Sequence, residues 1–333
     1  MVMVMAKLPK KWSRRIFAVY LVVTIFGGII LFLFIMLLGL TYWMSAPTPL
    51  PDPNLLIHPK ATAWLVIRAN GLRDLPQDTL RFLTGGAPPQ IEHLIALANG
   101  SRPCPIQIVL SAFPGEHGQE KSLAVSLGRF PGRFWLVRRD LERRVERQIL
   151  PLSLRYRQGK AIFSADEPSN PLDTLSLAEC TLLRCANPAA AETLIDRLEK
   201  KTDLSAERWP RAPATLPPAG FQAWAETWQE IPLKGFFPAD CASAGYWQSL
   251  TESLSTQFPA LARSRDVHFH GTFQDARRAK MGVTLQTDTP GAASLAAKLG
   301  DWLTGRKISG HVQVGASGGS IEVANLELYF AED

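Results

Sequence analysis

From Ile16 to Met44 the chain runs without a single charged side chain. A helix needs about 20 apolar residues to cross a bilayer, because it alone satisfies its own backbone groups there. This run is longer, so it predicts a spanning helix over 16–44 that tilts or extends into the interface. Tyr42 and Trp43 stand at its outer end, where amphipathic rings favour the headgroup zone. A cleaved signal peptide would have a shorter apolar core and small residues before the cut. Here Met44 occupies the −3 position of the candidate Ser45-Ala46 site.

Beyond the span the pattern changes twice. Ala46 to Pro53 carries proline at every second position, which fixes φ and favours extended polyproline structure. Eight such residues reach about 25 Å and predict a spacer over 45–54 that holds the rest of the chain away from the lipid. Then alternating and β-branched runs begin. Strands are expected over 61–69, 105–112, 122–129 and 175–185, with a short one at Phe134–Val137. Leu152–Tyr156 and Lys160–Ala165 predict a hairpin around Gln158-Gly159. Helices are expected over 75–98, interrupted at 85–89, and after Arg138, where Leu141, Val145 and Ile149 recur every four residues.

The pattern also holds a faint repeat. Leu182–Leu198 reads strand, Asn187-Pro188, helix; Val283–Leu299 reads strand, Thr289-Pro290, helix. Asn and Thr suit the N-cap and proline the first helical position. A candidate hairpin precedes each helix, at 152–165 and 266–287. Two related α+β halves are therefore expected, 55–205 and 230–333. A Pro- and Trp-rich connector, 206–229, separates them. Within it Phe221, Trp224 and Trp228 fall at helical spacing and predict one apolar face. Buried, that face is a packed connecting helix; exposed, it is a partner-binding surface.

The fold class expected is α+β: one N-terminal transmembrane helix, then an exported region of mainly antiparallel sheets with packed helices. Charge refines the picture. Lys7, Lys10, Lys11, Arg14 and Arg15 precede the span with no acidic residue. The positive-inside rule makes residues 1–15 a cytoplasmic tail. It puts the rest outside the inner (cytoplasmic) membrane, periplasmic or extracellular. Beyond the tail, 31 basic residues face 30 acidic ones. A nearly neutral unit argues against a nucleic-acid partner, which requires a concentrated basic surface.

Candidate chemistry is sparse. Gly315-Ala316-Ser317-Gly318-Gly319 matches G-x-S-x-G, but a nucleophile elbow needs strand, turn and helix. The run after Ser317, Ile321–Phe330, reads as a strand, and no histidine follows. Ser317 is thus expected in a hairpin loop. His268 and His270, as H-x-H in a strand, point to one face and are the candidate metal ligands. Asp266 shares that face, and His311 is available only through strand pairing. The arginine-rich helix after Arg138 reads as a solvated face, or as a contact for anionic headgroups or an acidic partner. Cys104, Cys180, Cys185 and Cys241 are too widely spaced for a zinc site. Cys180 and Cys185 fall on opposite strand faces, leaving Cys104 and Cys241 as their disulfide candidates.

No cofactor is expected. The function expected is a non-enzymatic, membrane-anchored binding or scaffold protein of the cell envelope. It contacts the bilayer through 16–44 and a protein or envelope component through Phe221, Trp224 and Trp228. The alternatives are an anchored hydrolase with a site assembled from distant residues, and a ligand-binding or sensory ectodomain.

Overall fold

The computed structural model describes residues 10–71, 89–98, 104–116, 118–165, 174–200, 220–228, 255–261, 264–275, 278–287, 292–305, 313–317 and 320–329. The chain forms two compact units, 1–46 and 47–333.

The first unit is helix α1, Lys10–Ser45. Its stretch Val19–Ser45 has a mean hydropathy of 3.0 with no side chain buried, and is long and apolar enough to cross a membrane. Its few hydroxyls cost such a helix little. Thr24, Thr41 and Ser45 each donate to a carbonyl three or four residues earlier, at 2.8–2.9 Å.

The second unit is α+β. Its strands are β1 (Ala63–Ala69), β2 (Ile106–Gly115), β3 (Gly118–Leu127), β4 (Leu152–Arg157), β5 (Lys160–Ala165) and β6 (Thr174–Ala178). They continue as β7 (Thr181–Cys185), β8 (Gly220–Thr227), β9 (Arg265–Asp275), β10 (Arg278–Gln286), β11 (Gln313–Ser317) and β12 (Ser320–Tyr329). All join one antiparallel sheet in the order β11-β12-β10-β9-β8-β1-β2-β3-β7-β6-β5-β4. The helices among the described residues include α2 (Pro53–Leu56), α3 (Pro89–Ala98), α4 (Pro131–Glu146), α5 (Pro188–Lys200) and α6 (Ala292–Gly305).

Alternation along each strand divides the core between the two sheet faces. On β1, Ala63, Leu65, Ile67 and Ala69 join the apolar cluster that includes α3, α4 and α6. Trp64 and Val66 point the other way, into a second cluster with α2 and α5. Central strands buried on both faces need apolar residues at nearly every position, which is why β1 reads AWLVIRA. Each large side chain so buried contributes about 1.5–3 kcal/mol.

Four local expectations change. Phe134–Val137 lies inside α4, not in a strand, because Pro131 sets the first turn and Phe134, Val137, Leu141 and Val145 share one inward face. Ile149 lies past the helix end and is 59% exposed. The run 175–185 is two strands: Ala178 pairs with Thr181 across a turn in which Glu179 takes φ 52°. Residues 220–227 form strand β8, paired to β1 and β9, so the supposed connector helix is a central strand.

Finally, the proline stretch does not stand off as a spacer. Pro47 bridges Arg129, the Thr48 N–H donates to the Gly128 carbonyl at 2.9 Å, and Gln107 Nε2 donates to the Pro51 carbonyl at 2.9 Å. Asp52 then caps α2 by accepting from the Asn54 N–H. Prolines leave carbonyls free to accept, so the segment is laid on the unit as a strap.

Other expectations hold in detail. β4 and β5 form a hairpin through Gln158 (φ 50°) and Gly159 (φ 70°), the paired positive φ of a two-residue primed turn. Asn187 caps α5, its Oδ1 accepting from the Ala190 N–H at 2.8 Å. Thr289-Pro290, the interrupted helix before residue 89, His311 and Cys241 lie outside the described residues.

Candidate functional site

The two sheet faces are covered unequally. Over β1–β7 both faces carry helices. Over β9, β10 and β12 one face is apolar: Phe269, Met281, Val283, Leu285, Ile321 and Val323 belong to the first core cluster with Ala296 and Leu299 of α6, which lies against β11 and β12. On the opposite face no described helix packs. That face is polar: His270, Thr272, Lys280 and Glu322 are exposed, with Asp266, His268 and Thr284 half-buried.

Cross-strand register builds its centre. Trp224 of β8, His268 of β9, Thr284 of β10 and Glu322 of β12 form one row. Gln222, His270 and Gly282 form the next. The imidazoles of His268 and His270 lie 5.9 Å apart at 27°. His270 folds over its neighbour, and a Cβ at Gly282 would come within 2.6 Å of the ring. That close approach is the reason for glycine in a strand interior. Trp64 meets His268 edge-on at 6.5 Å.

A metal would need more than this pair. Among the described residues no group of three His, Cys, Asp or Glu side chains converges. Asp266, the natural third donor, already accepts from Trp224 Nε1 at 2.5 Å. It sits at φ 51°, where the β9–β10 register shifts, so it bends the strand beneath the indole. The rows therefore make a platform of hydrogen-bonding groups on a rigid sheet.

The aromatic trio expected to meet a partner is buried: Phe221 is 9%, Trp224 5% and Trp228 8% exposed. Phe221 and Trp228 belong to the first core cluster and Trp224 to the second. Their three-and-four spacing imitates a helix face, but β8 sends Phe221 and Trp224 to opposite sides of the sheet. Trp228 Nε1 donates inward, to Ser255 at 3.1 Å.

Ser317, expected in a hairpin loop, is the last residue of β11, paired with Ser320 of β12; the hairpin is as expected, but Gly315 to Ser317 belong to its strand, and a strand, not a helix, follows. The described cysteines, Cys104, Cys180 and Cys185, are buried and free. Cys180 and Cys185 fall in opposite core clusters, as expected. Cys104 and Cys180 flank β3 from its two sides, where Ile106 pairs with Leu127 and the Leu127 N–H donates to the Cys180 carbonyl. Two strand spacings are about 10 Å. A disulfide bridges Cα atoms no more than about 7 Å apart, so these two do not pair. Burial pushes the Cys104 thiol up to about 11, against the opposing pull of Arg129, and the Cys185 thiol up to about 12.

One cleft, of about 470 Å³, opens between the strap, the β6–β7 turn and the end of α5. Asp52, Glu179 and Glu199 border it. Asp52 is committed to its cap and Glu199 pairs with Lys160 at 3.2 Å. Sequence reasoning missed a buried polar core beside it. His58 stacks on Phe113 at 3.8 Å, and its backbone N–H donates to the Ser111 hydroxyl, which is hydrogen-bonded to the Ser122 hydroxyl at 2.6 Å. That pairing of hydroxyls within the core is structural, since no part of it is exposed.

No protein-family model matches the chain, and no curated protein matches it. Among solved structures it is similar to one described as "Structure of crystal form I of TP0453". Identity there is 9%, covering 84% of this chain and 94% of that one, with a TM-score of 0.47.

Proposed function

We propose that this is a single-pass, membrane-anchored binding or scaffold protein of the cell envelope, without catalytic activity of its own. The anchor is α1, supported by its length and hydropathy. The basic residues before it support a cytoplasmic N-terminus and a folded unit outside the inner membrane.

The observation that carries the binding reading is the polar face of β9, β10 and β12. A half-sheet that carries a described helix on one face and none among the described residues on the other presents donors and acceptors at fixed spacing. Such a face recognises a protein surface or an envelope component by hydrogen bonding. His270, Thr272 and Lys280 are among its exposed residues.

The two halves are, in this reading, related copies. Counting outward from the central β1–β8 pair, β1-β2-β3 mirrors β8-β9-β10, and a helix (α4, α6) follows each third strand. β7 and β12 then lie beside β3 and β10. The repeat legible in sequence is out of frame with this symmetry: β7 stands fourth from the centre and β10 third.

Photo-crosslinkers at His270 and Thr272 of the full chain, in native membranes, test the binding reading. A crosslinker at Glu116, on the β2–β3 hairpin, serves as control. The expected result is one adduct, identified by mass spectrometry, from 270 and 272 and not from 116. No adduct at the face, or the same adducts at all three positions, overturns it.

A further inference from the structure

Outside α1, the described residues expose four large apolar side chains: Trp135 (43%), Leu136 (45%), Ile149 (59%) and Tyr156 (57%). All four fall on α4, the turn after it and β4. The packed face of α4 is made by Phe134, Leu141 and Val145. Trp135 and Leu136 therefore point outward from its second turn. Trp135, Arg139, Arg143 and Arg147 recur every four residues and form a stripe along the outer side. The Arg139 guanidinium lies 5.8 Å from the Trp135 ring centre.

The stripe carries surplus positive charge. Residues 129–147 hold seven arginines against Asp140, Glu142 and Glu146, a net +4, on a unit that is otherwise nearly neutral. Glu142 takes Arg138 and Arg139, and Asp140 takes Arg144. Arg143, Arg147 and Arg155 have no ion pair among the described residues. Indole and leucine near the start of a helix, a phenol on strand β4 beside it and guanidinium groups along the helix suit the boundary between acyl chains and phosphates.

The strap supplies the second observation. Pro47 bridges Arg129, two residues before α4, and only Ala46 separates Pro47 from Ser45, the last residue of α1. Two residues of chain span about 7 Å at most. A membrane that holds α1 therefore tethers the start of α4 closely.

We infer that α4 and the β4 hairpin dock on the anionic headgroups of the bilayer that holds α1. Trp135 and Leu136 enter the interface, while Arg139, Arg143 and Arg147 meet phosphates. This rests on the membrane anchor of the proposed function and not on its protein partner.

The test uses the full chain reconstituted in vesicles of phosphatidylcholine, alone or with about 30% phosphatidylglycerol. Flotation after alkaline carbonate reads the anchor separately. Hydroxyl-radical footprinting then reads side-chain exposure, normalised to His270. Oxidation of Trp135 and Tyr156 is expected to fall about threefold or more with the anionic lipid and to recover in about 0.5 M salt. The Arg139→Gln/Arg143→Gln variant is expected to lose this protection while floating normally. Floating protein with equal oxidation in both lipids overturns the docking, as does protection that survives in the variant. Protection that appears only on adding envelope proteins overturns it in favour of an acidic protein partner. Failure to float overturns the anchor itself.

Discussion

Trp224→Ala separates the strand assignment of 220–227 from a helix with an exposed aromatic face. The indole is 5% exposed and stands between Trp64 of β1 and His268 of β9. Truncating a buried tryptophan to alanine costs about 3–5 kcal/mol in lost transfer energy and cavity. The hydrogen bond to Asp266 is lost as well, which adds about 1–3 kcal/mol, at the low end because Asp266 is half-buried and can recruit water. The sum is about 4–6 kcal/mol. At roughly 2–4 °C per kcal/mol for a unit of this size, the melting midpoint falls by about 10 °C or more. Trp224→Phe keeps most of the ring and loses the hydrogen bond, so it should cost about 2 kcal/mol. His270→Ala, on the same face but exposed, should change stability by less than about 0.5 kcal/mol. Thermal unfolding of the full chain in mild detergent, followed by near-ultraviolet circular dichroism, measures all three. A Trp224→Ala protein that melts with the wild type would refute the reasoning, since only an exposed indole is removed without cost.

Two further predictions concern the core. Leu141→Ala should destabilise by about 2–5 kcal/mol, whereas Ile149→Ala should be nearly neutral, although both sit on the same four-residue spacing in the sequence. Equal effects in urea titrations would place Ile149 in the core and shift the end of α4. The second is alkaline. A free thiol ionises near ~8.5 in an unfolded chain, while burial holds Cys104 at about 11 and Cys185 at about 12. A raised folded value means the contribution is fully present below the unfolded value and is lost as pH rises through the folded ones. Stability should therefore fall between about pH 8.5 and 12, and the Cys104→Ala/Cys185→Ala protein should show a shallower fall over that range. An unchanged slope would argue that both thiols reach solvent.

Elements whose pattern had one reading were legible in the sequence. α1 is set by length and apolarity, the β4–β5 hairpin by Gln158-Gly159, and the start of α5 by Asn187-Pro188. β8 was not legible, because its pattern fits two periods. Phe221, Trp224 and Trp228 fit a helix, while Phe221, Ala223 and Ala225 against Gln222, Trp224 and Glu226 fit a strand. The alanines hide the alternation, since they fill narrow places in the sheet without marking a face. The β6–β7 turn was hidden because glutamate, at φ 52°, stands where glycine or asparagine would have announced it. Phe134–Val137 looked like a strand because four large residues in a row carry no period at all.

The candidate site was half legible. The H-x-H spacing put His268 and His270 on one face, and the structure keeps them there. Which neighbours share that face depends on register across three strands, and Gly282 acquires its meaning only under the His270 ring. The open face itself is a fact about where helices are missing among the described residues, and no local pattern encodes it. The same holds for α4. Its arginines were visible in sequence, but the four exposed apolar side chains beside them emerge only when the rest are seen to be buried.

The central pairing of β1 with β8 has a consequence for how the chain is made. Ala63 pairs with Ala225, and every strand on the β2 side of β1 precedes β8 in the sequence. Those six strands and β1 are complete about 35 residues before β8 begins. Until β8 arrives, β1 is an unprotected apolar edge, the kind that recruits strands from other molecules. At about 5–20 residues per second, roughly 160 residues of synthesis separate β1 from its partner by about 10–30 s. Newborn chains released early, or stalled before residue 220, should therefore be the aggregating species, and a chaperone that binds extended apolar segments should engage 63–69 first.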